Sequence, residues 1–135
     1  MVSTLLDTGA LFAILCQGHS SHARTSRWLA GADQYATCGL TQIGAFRLLL
    51  TEAAMQGSPL NPATAHEVLA EFTAGPRHLF VPCPAPGKKF VGQTTGNQAA
   101  FDDYLVQIAS DADLKLATLD TRLSTRWPKQ TLIIR

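Results

Sequence analysis

The sequence predicts an α/β fold in which a central parallel sheet of about four to five strands is flanked by helices. Short apolar segments typical of buried strands alternate with segments of helical periodicity, and no hairpin signal joins neighbouring strands. The length of 135 residues is that of one compact domain. We therefore expect a single domain over residues 1–135.

The composition excludes several classes of protein. With 46% hydrophobic and 16% charged residues, the chain is expected to be an ordinary globular protein. A formal net charge of +1 argues against nonspecific coating of nucleic acid, but it leaves room for a local basic patch. No apolar run approaches the roughly 20 residues of a membrane span, and the amino terminus lacks the basic segment of a signal peptide. The three cysteines are odd in number and widely spaced, which favours reduced thiols, so we expect a cytoplasmic protein.

The first half of the chain opens on a strand over residues 2–6, whose lack of alternation predicts burial on both faces. Asp7-Thr8-Gly9 then forms a sharp junction between this strand and a helix. The last helix of this half carries apolar side chains on one face, which we expect to be buried: Ile43, Phe46, Leu50 and Ala54. The predicted elements are, in order, a strand over 2–6, a helix over 10–15, a helix from a serine cap at 20–21 to Gly31, a strand over 34–38 and a helix over 41–55.

In the second half, Asn61-Pro62 predicts a helix start, because asparagine is a good N-cap and proline fits the first helical position. A later helix, after a breaker and cap at Gly96 and Asn97, is indicated by the spacing of four apolar side chains: Phe101, Leu105, Ile108 and Ala109. Asp120-Thr121-Arg122 is predicted as a polar turn. The predicted elements are, in order, a helix from Asn61 to Gly75, a strand over 78–81, a surface loop over 82–89, the later helix, a strand over 114–119 and a strand over 131–134.

Three aspartates occupy equivalent places in this predicted topology. Asp7 ends the first strand, Asp102 lies in the first turn of the later helix, and Asp120 follows the strand over 114–119. Side chains at such positions can meet at the carboxyl edge of a parallel sheet. Carboxylate oxygens suit Mg2+ or Mn2+, and a cluster of unpaired carboxylates would repel itself without a cation. The sequence therefore predicts a divalent-metal site able to activate water against a phosphodiester.

Three segments also resemble the motifs of a known family. They are Leu5-Leu6-Asp7-Thr8-Gly9-Ala10-Leu11, then Thr41-Gln42-Ile43-Gly44-Ala45-Phe46-Arg47-Leu48-Leu49, and finally Phe101-Asp102-Asp103-Tyr104-Leu105-Val106-Gln107-Ile108-Ala109 followed by Leu116-Ala117-Thr118-Leu119-Asp120. In this order, and over almost the whole chain, they resemble PIN domains, specifically the VapC toxins of bacterial toxin–antitoxin pairs. The resemblance implies a metal-dependent endoribonuclease in which Asp7, Asp102 and Asp120 are the catalytic acids and metal ligands.

The same resemblance implies the partners. The usual substrate class would be tRNA or other structured RNA, and the protein would be a homodimer. A small cognate VapB-like antitoxin would inhibit it by inserting a peptide near the acids. Nothing in the residues themselves indicates an RNA sequence preference.

Gln42 departs from the family pattern, which has glutamate at this place in most members and glutamine in a VapC-like subset. The resemblance makes Gln42 a catalytic candidate, and its amide oxygen can ligate a metal or a coordinated water, although it brings no charge. We therefore expect one tightly bound ion and a second that is weak or substrate-dependent. The alternative is a catalytically weak or inactive module that binds antitoxin or RNA.

Four further residues are auxiliary candidates: Thr8, Asp103, Thr118 and Arg47. Arg47 could direct its guanidinium towards a scissile phosphate, form a salt bridge or be a surface charge of its helix. Asp103 is expected to be a solvated acid of the first helical turn rather than a ligand, and Thr118 could be an ordinary strand residue. The three main aspartates have structural alternatives too, as a helix cap, a helix-dipole partner and a turn residue.

Two other functions are weaker fits to the sequence. Cys16, His19 and His22 have a spacing that suggests zinc, but Gly18 interrupts any helix there and a fourth ligand is missing. Phospho-acceptor domains also place aspartate at strand ends. However, Gly9 stands where an aspartate-nucleophile phosphatase has its second acid, and Asp102-Asp103 comes too late in the chain for a receiver domain.

Overall fold

The computed structural model describes residues 3–88, 96 and 99–135. Within these residues, five parallel strands form one sheet and six helices pack around it. The strands are β1 (Thr4–Leu6), β2 (Tyr35–Cys38), β3 (His78–Val81), β4 (Lys115–Thr118) and β5 (Thr131–Ile133). The helices are α1 (Thr8–Leu15), α2 (His22–Ala30), α3 (Gly39–Leu49), α4 (Pro62–Thr73), α5 (Ala100–Asp111) and α6 (Thr121–Arg126). The predicted α/β class with a parallel sheet is confirmed.

The order of the strands creates a crevice beside the first one. The sheet runs β3-β2-β1-β4-β5, so the chain builds outward on one side of β1 and then returns to build on the other. Leu5 is in register with Ala36 of β2 and with Leu116 of β4. Such a reversal of strand order opens a ligand-binding crevice at the carboxyl ends of the two strands that flank it. Here those strands are β1 and β4.

Two apolar clusters hold helices on the two faces of the sheet. Leu6 and Ala117 belong to the cluster that includes residues of α1, α3 and α4, whereas Leu5 and Leu116 belong to the cluster that includes residues of α5 and α6. Neighbouring residues of a strand point to opposite faces, so both faces of β1 and β4 are covered. The predicted burial of the first strand on both faces is confirmed.

Most predicted elements are present with small shifts at their ends. The strand over 78–81 matches β3, and α4 begins as predicted, with Pro62 at its first position and Asn61 accepting a hydrogen bond from Thr64 N. Three predicted features lie outside the described residues: the strand start at Val2, Lys89 in the surface loop and the cap Asn97. The described cap of α5 is Ala99, which makes no side-chain cap bond. No helix in the described ranges has both the length and the apolar composition to cross a bilayer.

The predicted helix over 41–55 is wrong in its bounds and partly wrong in its buried face. α3 runs from Gly39 to Leu49, and its fully buried side chains are Thr41, Ala45 and Leu49. Of the predicted face, Phe46, Leu50 and Ala54 are half-buried against the core, whereas Ile43 is 60% exposed. The cause is a close approach between helices. A Cβ added at Gly44 would lie 2.7 Å from Thr8 Cγ2 of α1. Small residues therefore turn inward, and the spacing of the large apolar residues does not decide the face.

Two further predictions need correction near the carboxyl edge of the sheet. Leu105, Ile108 and Ala109 of α5 are buried as expected, but Phe101 is 70% exposed, because in the first turn of α5 it borders a surface cavity rather than the core. The predicted polar turn at 120–122 is instead the start of a helix, since Asp120 caps the amino end of α6.

Candidate active site

Asp7 lies at the end of β1 and caps α1. Its Oδ1 accepts a hydrogen bond from Ala10 N at 2.7 Å, and the Thr118 hydroxyl donates a second hydrogen bond to the carboxylate. The side chain is buried, and burial raises the pKa of Asp7 to about 6, helped by the negative charges of Asp102 and Asp120 and opposed by the two hydrogen bonds. The structural alternative of a helix cap is therefore present together with an unusually desolvated carboxylate.

Thr118 links the two strands that border the crevice. It is the last residue of β4, it is fully buried, and its Oγ1 accepts the backbone N–H of Asp120 at 3.0 Å. Its single hydroxyl hydrogen is then free to go to Asp7. One side chain thus fixes the carboxylate after β1 to the backbone after β4. A part for Thr118 in catalysis stays a prediction.

Asp120 is exposed and serves as the N-cap of α6. Its Oδ1 accepts hydrogen bonds from Arg122 N at 2.9 Å and from Leu123 N at 3.4 Å. The second carboxylate oxygen makes no hydrogen bond with the described residues. One oxygen of Asp120 is therefore left for a ligand in the crevice.

Asp102 completes the acidic group from the opposite side of the crevice. It lies half-buried in the first turn of α5. Burial raises the pKa of Asp102, as do the charges of Asp120 and Asp103, whereas Arg126 lowers it. Each pair among Asp7, Asp102 and Asp120 interacts electrostatically. The structure therefore brings the three predicted acids together at one edge of the sheet.

Asp103 has a structural position that the sequence did not suggest. Its Oδ1 lies 2.5 Å from Arg126 NH2 and accepts a hydrogen bond from Trp127 Nε1 at 2.8 Å. The Asp103 side chain is 1% exposed, so the expectation of a solvated first-turn acid is wrong. Because Arg126 and Trp127 lie at and just past the end of α6, Asp103 ties the helix of Asp102 to the helix that Asp120 caps.

Gln42 lies half-buried on α3, and its described contacts run to the sheet. Gln42 Nε2 donates to Thr37 Oγ1 at 2.9 Å, and Thr37 Oγ1 lies 2.7 Å from His78 Nε2. Sequence reasoning missed Thr37 and His78, because each has an ordinary place in a predicted strand. Their pairing appears only once β2 and β3 are set side by side.

A cavity of about 500 Å3 opens beside Asp102. Thr8, Gly44 and Arg47 line one side of it, and Phe101 and Asp102 line the other. Arg47 is exposed and makes no ion pair with a described residue, so the predicted salt-bridge alternative is not seen and the alternative of a helix surface charge stays open. Arg47 borders the same cavity as Asp102 and is not paired with an acid of the described residues.

The donor set suits a hard divalent cation. The charges of Asp102 and Asp120 raise the pKa of Asp7, the charge of Asp120 raises the pKa of Asp102, and no positively charged group among the described residues acts on Asp7. As placed, however, no three His, Cys, Asp or Glu side chains of the described residues are close enough to share an ion. Shared binding of one ion would therefore need these side chains to move closer together.

The suggested zinc ligands are engaged elsewhere. Cys16 is buried, His19 Nδ1 accepts a hydrogen bond from Ser21 N, and His22 Nδ1 pairs with the Ala13 carbonyl. Each side chain therefore has a structural role, and no metal site is formed by them in the described chain.

Comparison with known proteins agrees with this geometry. No family model matches the chain. Ribonuclease VapC29 of Mycobacterium tuberculosis is 32% identical over 126 residues, which cover 91% of this chain and 90% of that protein. Ribonuclease VapC44 of the same organism is 28% identical over 126 residues, covering 89% of this chain and 87% of that protein.

Two solved structures share the fold. PAE2754 from Pyrobaculum aerophilum superposes with a TM-score of 0.65 at 21% identity, covering 98% of this chain and 84% of that one. Mycobacterium tuberculosis VapC20, described as a sarcin-ricin loop cleaving toxin, superposes with a TM-score of 0.64 at 14% identity, covering 90% and 93%. The resemblance seen in the motifs is thus confirmed by full-length similarity, and the chain belongs to the VapC family of PIN-domain ribonucleases.

Proposed function

We propose that this chain is a metal-dependent endoribonuclease, the toxin of a toxin–antitoxin pair, and that it hydrolyses phosphodiester bonds of tRNA or other structured RNA. One observation carries the proposal: Asp7, Asp102 and Asp120 come from three separate segments and interact at the carboxyl edge of the sheet. Similarity to the ribonucleases VapC29 and VapC44 supports the reaction class. The RNA target is inferred from the family resemblance alone.

The three aspartates would hold Mg2+ or Mn2+ through carboxylate oxygens. A bound divalent ion supplies charge neutralisation at phosphate and an activated water. The chain's own contribution is to restrict the carboxylates of Asp7 and Asp120 through hydrogen bonds. The Ala10 N–H and the Thr118 hydroxyl hold the Asp7 carboxylate in one orientation, and the cap bonds of Asp120 hold its Oδ1 on α6.

Arg47 is proposed to bind a phosphate of the substrate. Its guanidinium borders the same cavity as Asp102 and is not paired with a described acid. Planar guanidinium groups pair with phosphate oxygens through two parallel hydrogen bonds. Thr8, which lines the cavity next to Asp7 in the chain, is a second candidate for contact with the substrate.

Gln42 brings an amide where most of the family has a carboxylate, so we keep the expectation of one tight ion and a weaker second. An extreme form of this effect would be a module that binds antitoxin or RNA without cutting. Calorimetric titration of the free protein with Mn2+ gives the number of ions bound and the affinity of each, and so distinguishes one tight site from two. Two equally tight sites without substrate would contradict the expectation of a weak second ion.

Cleavage of total RNA and purified tRNA by antitoxin-free protein tests the proposal. We expect cutting with Mg2+ or Mn2+, none with chelator and none in Asp102→Asn. The matched control is Asp113→Asn, because Asp113 is an exposed aspartate with a positive φ of 57°, which asparagine tolerates well. Cutting that persists in Asp102→Asn or in chelator would refute a metal mechanism at these acids. A folded wild type that cuts no RNA would support the binding module.

The partner assignments belong to the same proposal. A cognate VapB-like antitoxin and a homodimer follow from the family resemblance, and a cytoplasmic location follows from the sequence features described above. Light scattering of the purified toxin measures the oligomeric state directly. A monomer at micromolar concentration would exclude a stable homodimer.

A further inference from the structure

A chain of three polar side chains leads from α3 into the sheet. Gln42 Nε2 donates to Thr37 Oγ1 at 2.9 Å, and Thr37 Oγ1 lies 2.7 Å from His78 Nε2. The three residues come from α3, β2 and β3, and Thr37 is fully buried. The contact between Thr37 and His78 spans 41 residues of sequence, so it exists only in the folded sheet.

The direction of the hydrogen bonds follows from the chemistry of the Gln42 amide and from the tautomer of His78. An amide nitrogen can only donate, so Thr37 Oγ1 accepts from Gln42. We assign His78 the neutral form with Nε2 unprotonated, because in that form the one hydroxyl hydrogen of Thr37 can be donated to Nε2 at 2.7 Å. Burial lowers the pKa of His78, which favours this neutral form, while a hydrogen bond with the Thr73 backbone acts in the opposite direction and only partly offsets it.

We propose that Thr37 and His78 are positioning residues which set the orientation of the Gln42 amide, so that its nitrogen is held in the fold and its oxygen is presented to the acid site. The proposal rests on the metal-dependent function proposed above. A glutamate at this place would offer an oxygen whichever way it turned. A glutamine offers an oxygen in one orientation and two N–H donors in the other, and the second orientation would repel a cation.

The position of α3 brings this amide to the right edge of the sheet. α3 begins directly after β2, at the same carboxyl edge at which Asp7 follows β1. Leu5 is in register with Ala36, so Thr37, which holds the Gln42 amide nitrogen, stands beside Leu6, the residue before Asp7. The amide oxygen of Gln42 makes no hydrogen bond with a described residue, so it remains available to a ligand.

The proposal predicts a specific coupling between positions 78 and 42. His78→Phe keeps a ring against Tyr35 but removes the acceptor, so the Thr37 hydroxyl would donate to the Gln42 oxygen and turn the amide round. We expect His78→Phe to weaken Mn2+ binding by about tenfold, as loss of a group that orients a ligand usually does. In a Gln42→Glu background the same change should have little effect, because both carboxylate oxygens are equivalent. His66→Phe, at an exposed position on α4, is the matched control.

Two further readouts separate this role from a merely structural one. Nitrogen-15 spectra of the metal-free protein should show His78 as the tautomer with Nε2 unprotonated, and Thr37→Ser should retain Mn2+ affinity while Thr37→Val loses it. An equal loss from His78→Phe in both backgrounds, or an Nε2-protonated His78, would overturn the proposal. A wild type that binds Mn2+ and cuts RNA, with His78→Phe unchanged in both properties, would overturn it while leaving the proposed function intact. Failure of the wild type to bind Mn2+ or cut RNA would overturn both.

Discussion

The hydroxyl of Thr118 holds the Asp7 carboxylate while its oxygen accepts the backbone N–H of Asp120. This contact joins the carboxyl ends of β1 and β4, the two strands beside the crevice. It also partly offsets the cost of burying Asp7, since hydrogen bonds to a carboxylate favour its charged form. The part of the burial cost that remains lowers the stability of the folded protein, although the proposed metal site needs the charged carboxylate of Asp7.

Asp7→Asn should stabilise the metal-free protein while abolishing RNA cleavage. The pKa of Asp7 rises from 3.8 to about 6 on folding, so the folded state binds the proton more tightly. The contribution of Asp7 to stability is therefore fully present below pH 3.8 and is lost as the pH rises through about 6. Asparagine does not titrate and still caps α1, so we expect a gain of about 1 to 3 kcal/mol in unfolding free energy at pH 8.

Urea unfolding in chelator at pH 8 and pH 4.5 measures this gain. The difference between variant and wild type should shrink at the lower pH, where Asp7 is largely protonated in the folded state. Asp113→Asn provides a control at an exposed position. A gain that is equal at both pH values would show that Asp7 is not the group responsible.

Metal affinity should depend on pH through the same carboxylate. Below about pH 6 a proton competes with the cation for Asp7, so Mn2+ affinity should fall by about tenfold for each pH unit. Thr118→Val removes a hydrogen bond that lowers the pKa of Asp7, and should move the fall to higher pH, whereas Thr118→Ser should not. Calorimetric titration between pH 5 and pH 8 gives the profile. An affinity independent of pH over this range would exclude Asp7 as a ligand that is protonated near pH 6.

Mutation of the two adjacent aspartates of α5 should have different effects, one on stability and the other on metal binding. Asp103 is buried against Arg126 and Trp127, so Asp103→Asn should lower the unfolding free energy by about 1 to 2 kcal/mol and leave Mn2+ affinity little changed. Asp102→Asn should do the opposite, weakening Mn2+ binding by about tenfold or more, or roughly 1.4 kcal/mol, at little cost in stability. Thermal unfolding and Mn2+ titration of both variants test this. Weaker Mn2+ binding in a fully stable Asp103→Asn protein would make Asp103 a ligand.

Local signals in the sequence sufficed to predict the fold and the convergence of the three main acids at one edge of the sheet. Asn61-Pro62 carries its own cap chemistry, and β3 appears with the predicted bounds. Asp7 and Asp120 converge because a parallel sheet brings all its carboxyl ends to one edge, whatever the details of packing. The prediction of an acidic group at this edge therefore depended on the topology of the sheet and not on the details of packing.

The sequence could not show contacts between distant segments. Asp103 looked solvated because its partners Arg126 and Trp127 lie beyond the next strand, and nothing local marks them as partners. The anchoring of Gln42 depends on Thr37 and His78 from neighbouring strands. Helical periodicity likewise placed Ile43 wrongly on the buried face of α3, where the packing of Gly44 against the Thr8 side chain turns small residues inward.

Gly44→Ala should show how tightly α1 and α3 are packed beneath the site. The new Cβ would lie 2.7 Å from Thr8 Cγ2 and 3.0 Å from Thr8 Oγ1, and a β-branched threonine has little freedom to move away. We expect a loss of about 1 to 3 kcal/mol in unfolding free energy, typical of overpacking, together with weaker RNA cleavage because Thr8 adjoins Asp7. Gly39→Ala is the matched control in the same helix, since a Cβ there meets no atom within 4 Å. The double variant Thr8→Ala with Gly44→Ala should recover most of the lost stability, and a loss that persists in it would place the strain elsewhere than against Thr8.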